Sequence, residues 1–310
     1  MSETENGVSW LHRFGSLIAV MAFLLYMTGV LASSSHGASL ITPFPSGAGF
    51  PSPPSPGKYA HAFLILAITV TALTVVFVWW LWKSKSRRYL KNLGIIAVGV
   101  LLAMAFAVLS PTQHRFPAEV SVGYVFGIQT FFCLTVCLAL FTRTDWRWDE
   151  PKAPDLASPS MRQVLVFTTT AVFIQPFLGK GFREKALGIA PHLVLGIAVM
   201  ACSLWVLEMA MTKFSHMRAF KISAVFLAEV VGLQLFFGII SYSMNLNARA
   251  VSGPQPGLTV MNVTHAAVGE LVLATSLFVT FQGFKYFAPA GAGASSAMFN
   301  DHQNPEGKGG

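Results

Sequence analysis

Charged residues are scarce in this chain. Its 310 residues include 21 lysines and arginines and 13 aspartates and glutamates, and these make up 11% of the sequence, while 54% of the residues are hydrophobic. A soluble domain normally carries about a quarter charged residues. The shortage of charge excludes a disordered chain and an ordinary soluble enzyme, and it indicates a protein that crosses a membrane several times.

Cysteine is also rare. The three cysteines, Cys133, Cys137 and Cys202, lie inside apolar runs, and no CxxC or CxxCH motif occurs. A secreted disulfide scaffold, a zinc site and a covalently attached c-type haem are therefore unsupported, and each cysteine is interpreted as a buried thiol. The net charge of +8 does not indicate nucleic-acid binding, because no basic face with interleaved aromatic residues accompanies it.

Long apolar runs are what the sequence has in abundance. A helix needs about 20 apolar residues to cross a bilayer, and eight runs reach roughly this length. They predict an all-α polytopic membrane protein whose eight transmembrane helices form two pseudo-symmetric four-helix bundles. The predicted spans are Phe14–Ser33, Tyr59–Trp82, Leu93–Ser110, Val120–Phe141, Arg162–Gly179, Leu187–Met211, Phe220–Ser243 and Leu258–Phe284.

A polar, proline-containing stretch divides the chain between the fourth and fifth runs. We interpret residues 1–142 as an N-terminal half, 143–161 as a cytoplasmic linker, 162–287 as a C-terminal half and 288–310 as a disordered tail. Basic residues cluster between the second and third runs and mark the cytoplasmic side. An even number of spans then places both termini inside, in a multi-pass protein of the cell (inner) membrane. The cluster consists of Lys83, Lys85, Arg87, Arg88 and Lys91.

Three of the eight histidines lie inside apolar helices. His61, His192 and His265 each follow the outer end of an even-numbered helix by a few residues, which predicts a similar depth in the membrane. Ionisable groups at this depth are costly and usually functional, although a hydrogen bond to a neighbouring helix explains a single histidine equally well. His192 and His265 share the C-terminal half and can together supply both axial nitrogens of a b-type haem, whereas the N-terminal half has only His61.

Other polar groups within the spans are interpreted as hydrogen-bonding contacts between helices rather than as ligands. They are Gln129, Gln175 and Gln234. For Glu229 a neutral hydrogen bond between helices is favoured, and a proton path and a position beside a haem propionate stay open. Glu270 lies five residues beyond His265, so the two do not share a helical stripe, and the sequence assigns it no role.

Several segments resemble the heme A synthase family. LIAVMAFLLYMTGVLASSSHGA is similar to the first helix of that family, KYAHAFLILA to its second, LQLFFGIISYS to its seventh with the pattern Leu-Gln-x-x-x-Gly, and VTHAAVGELVLATSLFVTF to its last. The resemblance covers about residues 10–285 and depends on the order and spacing of these motifs. It implies an eight-helix membrane oxidoreductase that converts heme O to heme A for cytochrome oxidase assembly. It also implies heme O synthase or terminal oxidase assembly factors as partners beside the lipid bilayer, and a homo-oligomer is compatible with it.

The resemblance further implies that His192 and His265 bind haem b, and that His61 lies on the side of the substrate, heme O. Two positions depart from the family pattern. Val125 stands where the family has its second N-terminal-half histidine, and Lys58 stands where the family has its catalytic glutamate. The cysteine pair of the outer loop is also absent, so no catalytic residue is assigned.

Two other functions remain open. The first is a non-catalytic relative of the family, acting as a b-type cytochrome or as a haem-delivery or oxidase assembly protein. The second and weaker one is a transporter built from inverted repeats. A transporter predicts helices broken in mid-membrane, and only the Gln175-Pro176 step offers such a break.

Overall fold

The computed structural model describes residues 3–36, 58–84, 88–109, 117–143, 146, 152–155, 158–183, 186–248 and 256–289. The prediction of a disordered tail falls outside the described residues, except for its first two positions. Much of the predicted linker also lies outside them.

Eight α-helices make up almost all of the described chain, and each is long and apolar enough to cross a bilayer. This confirms the predicted all-α, eight-span architecture. The last two helices contain 31 residues each, or about 46 Å at 1.5 Å per residue, so they extend beyond a hydrocarbon core of about 30 Å. In chain order the helices are α1 Glu3–His36, α2 Lys58–Lys83, α3 Arg88–Leu109, α4 Pro117–Phe141, α5 Met161–Arg183, α6 Ala190–Thr212, α7 Arg218–Ala248 and α8 Pro256–Tyr286.

The helices form two rings of four. In the N-terminal half, α1 packs on α2, α2 on α3, α3 on α4 and α4 on α1, and helices α5 to α8 repeat this cycle in the C-terminal half. The halves meet where α8 contacts α1 and α4, and where α4 contacts α5. If each helix is replaced by its counterpart in the other half, the contact of α1 with α8 becomes the contact of α5 with α4, and the contact of α4 with α8 becomes itself. The set of contacts between the halves is therefore unchanged. The arrangement therefore has the pseudo-two-fold symmetry that the sequence predicted.

One end of the bundle holds the starts of α1 and α5 and the ends of α4 and α8, and we call it the linker end. Here Nδ1 of His12 lies 2.8 Å from the carbonyl oxygen of Ala139, which joins α1 to α4. The linker forms a short β-bridge with the end of α8, in which the amide of Ala153 donates to the carbonyl of Tyr286 at 2.8 Å. We call the opposite end, where α6 and α8 begin, the histidine end.

Helix α5 has a well-defined start. Ser160 and Gln163 form a reciprocal capping box, in which each side chain accepts a hydrogen bond from the main-chain amide of the other, at 3.2 and 3.0 Å. The Asp155 carboxylate accepts a further bond from the Met161 amide at 3.1 Å. These bonds fix the first turn of the C-terminal half beside the linker, one residue before the predicted boundary.

Buried side chains concentrate towards the linker end in both halves. In α8 most residues from Glu270 to Lys285 are buried, whereas residues 261–269 are only partly buried. Helix α2 shows the same gradient, because its buried stripe runs from its middle to its linker end. The stripe consists of Val70, Thr74, Phe77 and Leu81, at the spacing of one helical face. The interior at the histidine end is thus packed more loosely than the interior at the linker end.

Candidate functional site

Two imidazole rings meet inside the C-terminal half. His192 lies in the first turn of α6, just after Pro191, and His265 lies in the third turn of α8. Their ring centroids are 6.4 Å apart and their planes are inclined by 74°. Helices α6 and α8 are diagonal in the ring and make no direct backbone contact within the described residues. The two histidines therefore face each other across the bundle interior, and both are partly buried.

The ring of His192 is held by the main chain of α5. Its Nδ1 lies 3.3 Å from the carbonyl oxygen of Gln175, and the Gln175 side-chain amide donates back to the His192 carbonyl at 3.2 Å. Because a carbonyl oxygen only accepts, Nδ1 carries the proton and Nε2 keeps its lone pair. A hydrogen bond that fixes Nδ1 of a histidine sets the orientation of its ring, so that Nε2 can serve as a metal ligand.

Glycines make this contact between α5 and α6 close. A Cβ atom at Gly179 would lie 3.5 Å from Cε1 of His192, and one at Gly196 would lie 3.5 Å from Nε2 of Gln175. Gly179 follows Gln175 by one turn, and Gly196 follows His192 by one turn. In this antiparallel pair, each glycine therefore lies opposite the large polar residue of the other helix.

Helices α7 and α8 repeat the same arrangement. Gln234 and Gly238 of α7 pack against His265 and Gly269 of α8. A Cβ atom at Gly238 would lie 3.0 Å from Cε1 of His265, and one at Gly269 would lie 3.0 Å from Nε2 of Gln234. The contacts are tighter than in the first pair, so a methyl group at either glycine would displace the facing side chain by a few tenths of an ångström.

The glutamine of the second pair contacts its histidine differently. The Nε2 atom of Gln234 lies 3.4 Å from Nε2 of His265, while Nδ1 of His265 is buried without a hydrogen-bond partner among the described residues. An amide N–H donates, so this contact assigns the lone pair to Nε2 of His265 and the proton to Nδ1. Sequence reasoning treated both glutamines only as packing residues, although their shared Gln-x-x-x-Gly spacing was a signal of this role.

The spacing of the rings fits a haem. Metal–imidazole bonds of about 2 Å, with about 1 Å from each nitrogen to its ring centre, place two axial rings about 6 Å apart. The observed separation of 6.4 Å agrees with this value. In the described part of the chain no third His, Cys, Asp or Glu side chain joins the two imidazoles to form a metal site.

The structure does not bring the third predicted histidine to this site. His61 lies in the first turn of α2, in the other ring of helices, and it is exposed. Val125 of α4 is partly buried and lies eight residues after the first residue of its helix, while His265 lies nine residues after the first residue of α8. Among the described residues of the second and fourth helices of each half, the N-terminal half has only His61, whereas the C-terminal half has His192 and His265.

A second polar cluster joins the two halves. The carboxylate of Glu270 on α8 is buried and accepts a hydrogen bond from Nε2 of Gln129 on α4, with the phenol of Tyr26 on α1 beside both. The sequence showed these groups only separately. Gln129 and Glu270 lie at similar depth in the fourth helix of each half, which the sequence could indicate. Their contact could not be predicted without knowing that α4 packs against α8.

An apolar cavity of about 320 Å³ lies between α4, α5 and α8. Its lining includes Cys133, Cys137, Thr169 and Leu273, and neither histidine of the pair reaches it. The three cysteines are free thiols, with Cys137 buried and the other two partly buried. This cavity is therefore separate from the histidine site.

Comparison of the chain with known protein families and with curated proteins found no match.

Proposed function

We propose that this chain is a haem-binding integral membrane oxidoreductase of the heme A synthase type. The observation that carries the proposal is the pair of imidazoles on α6 and α8, with ring centroids 6.4 Å apart and with a glutamine and two glycines supporting each ring. A partly buried pair of histidines costs free energy in a bilayer, and a ligand that uses both nitrogens would explain why they face each other. Haem b is the cofactor that we propose for this site.

In this proposal His192 and His265 would hold the haem. The haem would supply one-electron chemistry, and the protein orients the two imidazoles that hold it. The Gln175 carbonyl keeps the proton of His192 on Nδ1 and so presents Nε2 to iron. The N-terminal half would receive heme O on the side of His61 and release heme A.

A non-catalytic relative is the second candidate, and the composition of the N-terminal half favours it. Val125 and Lys58 replace the histidine and the glutamate that the resemblance leads us to expect, and His61 is exposed. A chain of this kind would keep the cytochrome in the C-terminal half and would pass electrons, deliver haem or assist oxidase assembly.

We also propose the orientation. The linker end faces the cytoplasm of a cell (inner) membrane, because the basic cluster from Lys83 to Lys91 lies between α2 and α3 at that end. Both termini are then cytoplasmic. Heme O synthase or terminal oxidase assembly factors remain the proposed partners.

Difference spectroscopy of the purified protein tests the haem site. We expect a reduced-minus-oxidised spectrum of a bis-histidine b-type haem in the wild type, and loss of this six-coordinate signal in His192→Ala and in His265→Ala. His216→Ala changes an exposed histidine between α6 and α7 and serves as the control. A wild-type spectrum without haem, or one that survives both substitutions, would refute the proposal.

Co-expression with a source of heme O separates the two candidates. Heme A in the extracted haem supports the enzyme, whereas fully loaded haem b without heme A supports the non-catalytic relative. In the second case, conversion restored by a Val125→His and Lys58→Glu double substitution would locate the lost activity in the N-terminal half.

A further inference from the structure

The two histidines of the site are not equivalent. On α6 the ring of His192 is fixed by the Gln175 main-chain carbonyl, and the Gln175 side chain bonds to the His192 main chain instead of the ring. The main chain thus sets the orientation of this imidazole. Its Nε2, which holds the lone pair, takes part in neither hydrogen bond and is available to iron.

On α8 the corresponding lone pair is already used. The side-chain amide of Gln234 lies 3.4 Å from Nε2 of His265, and an amide N–H can contact that nitrogen only by donating to it. The main-chain carbonyl of Gln234 also faces the ring of His265, as the Gln175 carbonyl faces the ring of His192. Nδ1 of His265 nevertheless has no hydrogen-bond partner among the described residues. Iron and the Gln234 amide therefore require the same lone pair.

We propose that haem binds these two histidines in a fixed order, with His192 as the first ligand and with the Gln234 amide capping Nε2 of His265 until iron displaces it. This inference rests on the proposed haem site and adds a role for Gln234, which acts through His265 and is a positioning residue. The order follows because Nε2 of His192 is free of hydrogen bonds and held in place by the main chain, whereas Nε2 of His265 is covered by the Gln234 side chain.

The cap is suited to displacement. A buried lone pair without a donor is costly in an apolar interior, so an amide that covers it stabilises the ring. The amide is held weakly, since its contact is 3.4 Å long and its own Oε1 atom is buried without a partner among the described residues. Once displaced, it can turn to the main-chain carbonyl of His265, which is the contact that Gln175 makes with His192 in the first pair.

Titration of the purified, haem-depleted protein with hemin tests the cap. Removing a competing hydrogen bond should tighten binding, so Gln234→Leu is expected to bind hemin about two- to tenfold more tightly than the wild type. Gln282→Leu is the matched control, because it removes a buried glutamine near the linker end of α8, away from both rings, and we expect unchanged affinity. Equal effects of the two substitutions, or weaker binding by Gln234→Leu, would overturn the inference.

Single-histidine variants test the order independently. With its first ligand intact, His265→Ala should retain hemin as a five-coordinate, high-spin species, whereas His192→Ala should retain much less because its remaining ring is capped. Equal retention would contradict the order. A wild type that never forms the six-coordinate spectrum would refute the proposed function itself, whereas a six-coordinate wild type with equal variants would refute only this inference.

Discussion

Glu270 is a carboxyl side chain in the middle of a transmembrane helix, and only 2% of its surface is exposed. Such a group is expensive in a bilayer unless another polar group contacts it. Gln129 supplies that contact from the opposite half, and Tyr26 closes the cluster from α1. The pair is thus a polar link between the two four-helix rings.

Substitution of Glu270 should weaken the association of the halves. We expect Glu270→Leu to lower the free energy of unfolding by about 1–3 kcal/mol, because it removes the carboxylate that accepts a hydrogen bond from the buried Gln129 amide. Glu270→Gln should cost less than half as much, since its amide still bonds to Gln129. Equilibrium unfolding in mixed micelles measures both values. Glu229→Leu, on the exposed side of α7, is the control, and an equal loss there would contradict this role of Glu270.

Sequence reasoning reached the histidines but not their partners. His192 and His265 were recognisable because a histidine within an apolar run stands out in the sequence, whichever face of the helix it occupies. Gln175 and Gln234 were not assigned to the rings, because this needs the relative height of two adjacent antiparallel helices. The same limit applied to Glu270 and Gln129, which are 141 residues apart along the chain.

At the scale of elements, two antiparallel helix pairs carry the candidate site. Helices α5 and α6 form one pair and α7 and α8 the other, and in both a Gln-x-x-x-Gly segment meets a His-x-x-x-Gly segment. The pairs differ in closeness: the hypothetical Cβ contact is 3.0 Å at Gly238 and 3.5 Å at Gly179. Only the first of these distances would require the facing imidazole to shift.

This difference predicts unequal effects of adding a methyl group. Gly238→Ala should push the His265 ring out of position and weaken haem binding by about tenfold, whereas Gly179→Ala should leave it nearly unchanged. Hemin titration and the six-coordinate absorbance measure the effect in both variants. If Gly179→Ala weakens haem binding as much as Gly238→Ala does, the closer contact at Gly238 does not affect haem binding.

The extents of the helices were predicted less well than their number. Hydropathy marks the part of a helix that lies in the hydrocarbon, but α7 and α8 continue as regular helices through polar residues. At the histidine end, Asn262 of α8 accepts hydrogen bonds from Ser241 and Asn245 of α7 at 2.7 and 3.2 Å. These bonds stabilise the polar ends of α7 and α8. The length of an apolar run does not show that a helix continues through such polar residues.

The whole molecule consists of two similar rings joined along α1, α4, α5 and α8. The number of spans and their division into two sets of four were predictable, because both follow from apolar length and from one polar interruption. Which helices meet across the middle was not predictable from hydropathy, since every helix has an apolar surface. The contacts that decide it are specific, such as Trp146 beside Phe278 and the Glu270–Gln129 bond.

A divided chain should still assemble. We expect residues 1–150 and 151–310, expressed together as separate polypeptides, to co-purify through the contacts of α8 with α1 and α4. The second fragment retains the Ala153–Tyr286 bond and the Asp155 cap, so its first helix keeps its start. Affinity capture of one tagged fragment measures recovery of the other, and Glu270→Leu should reduce it. Fragments that never co-purify would show that covalent connection is needed to hold the halves together.

The contrast between a tightly packed linker end and a loosely packed histidine end bears on the order of biogenesis. The contacts that join the halves lie between the middle of the bundle and the linker end, whereas the proposed cofactor site lies nearer the histidine end. We therefore expect the eight helices to complete their assembly in the membrane before the proposed haem binds, without separation of the two halves.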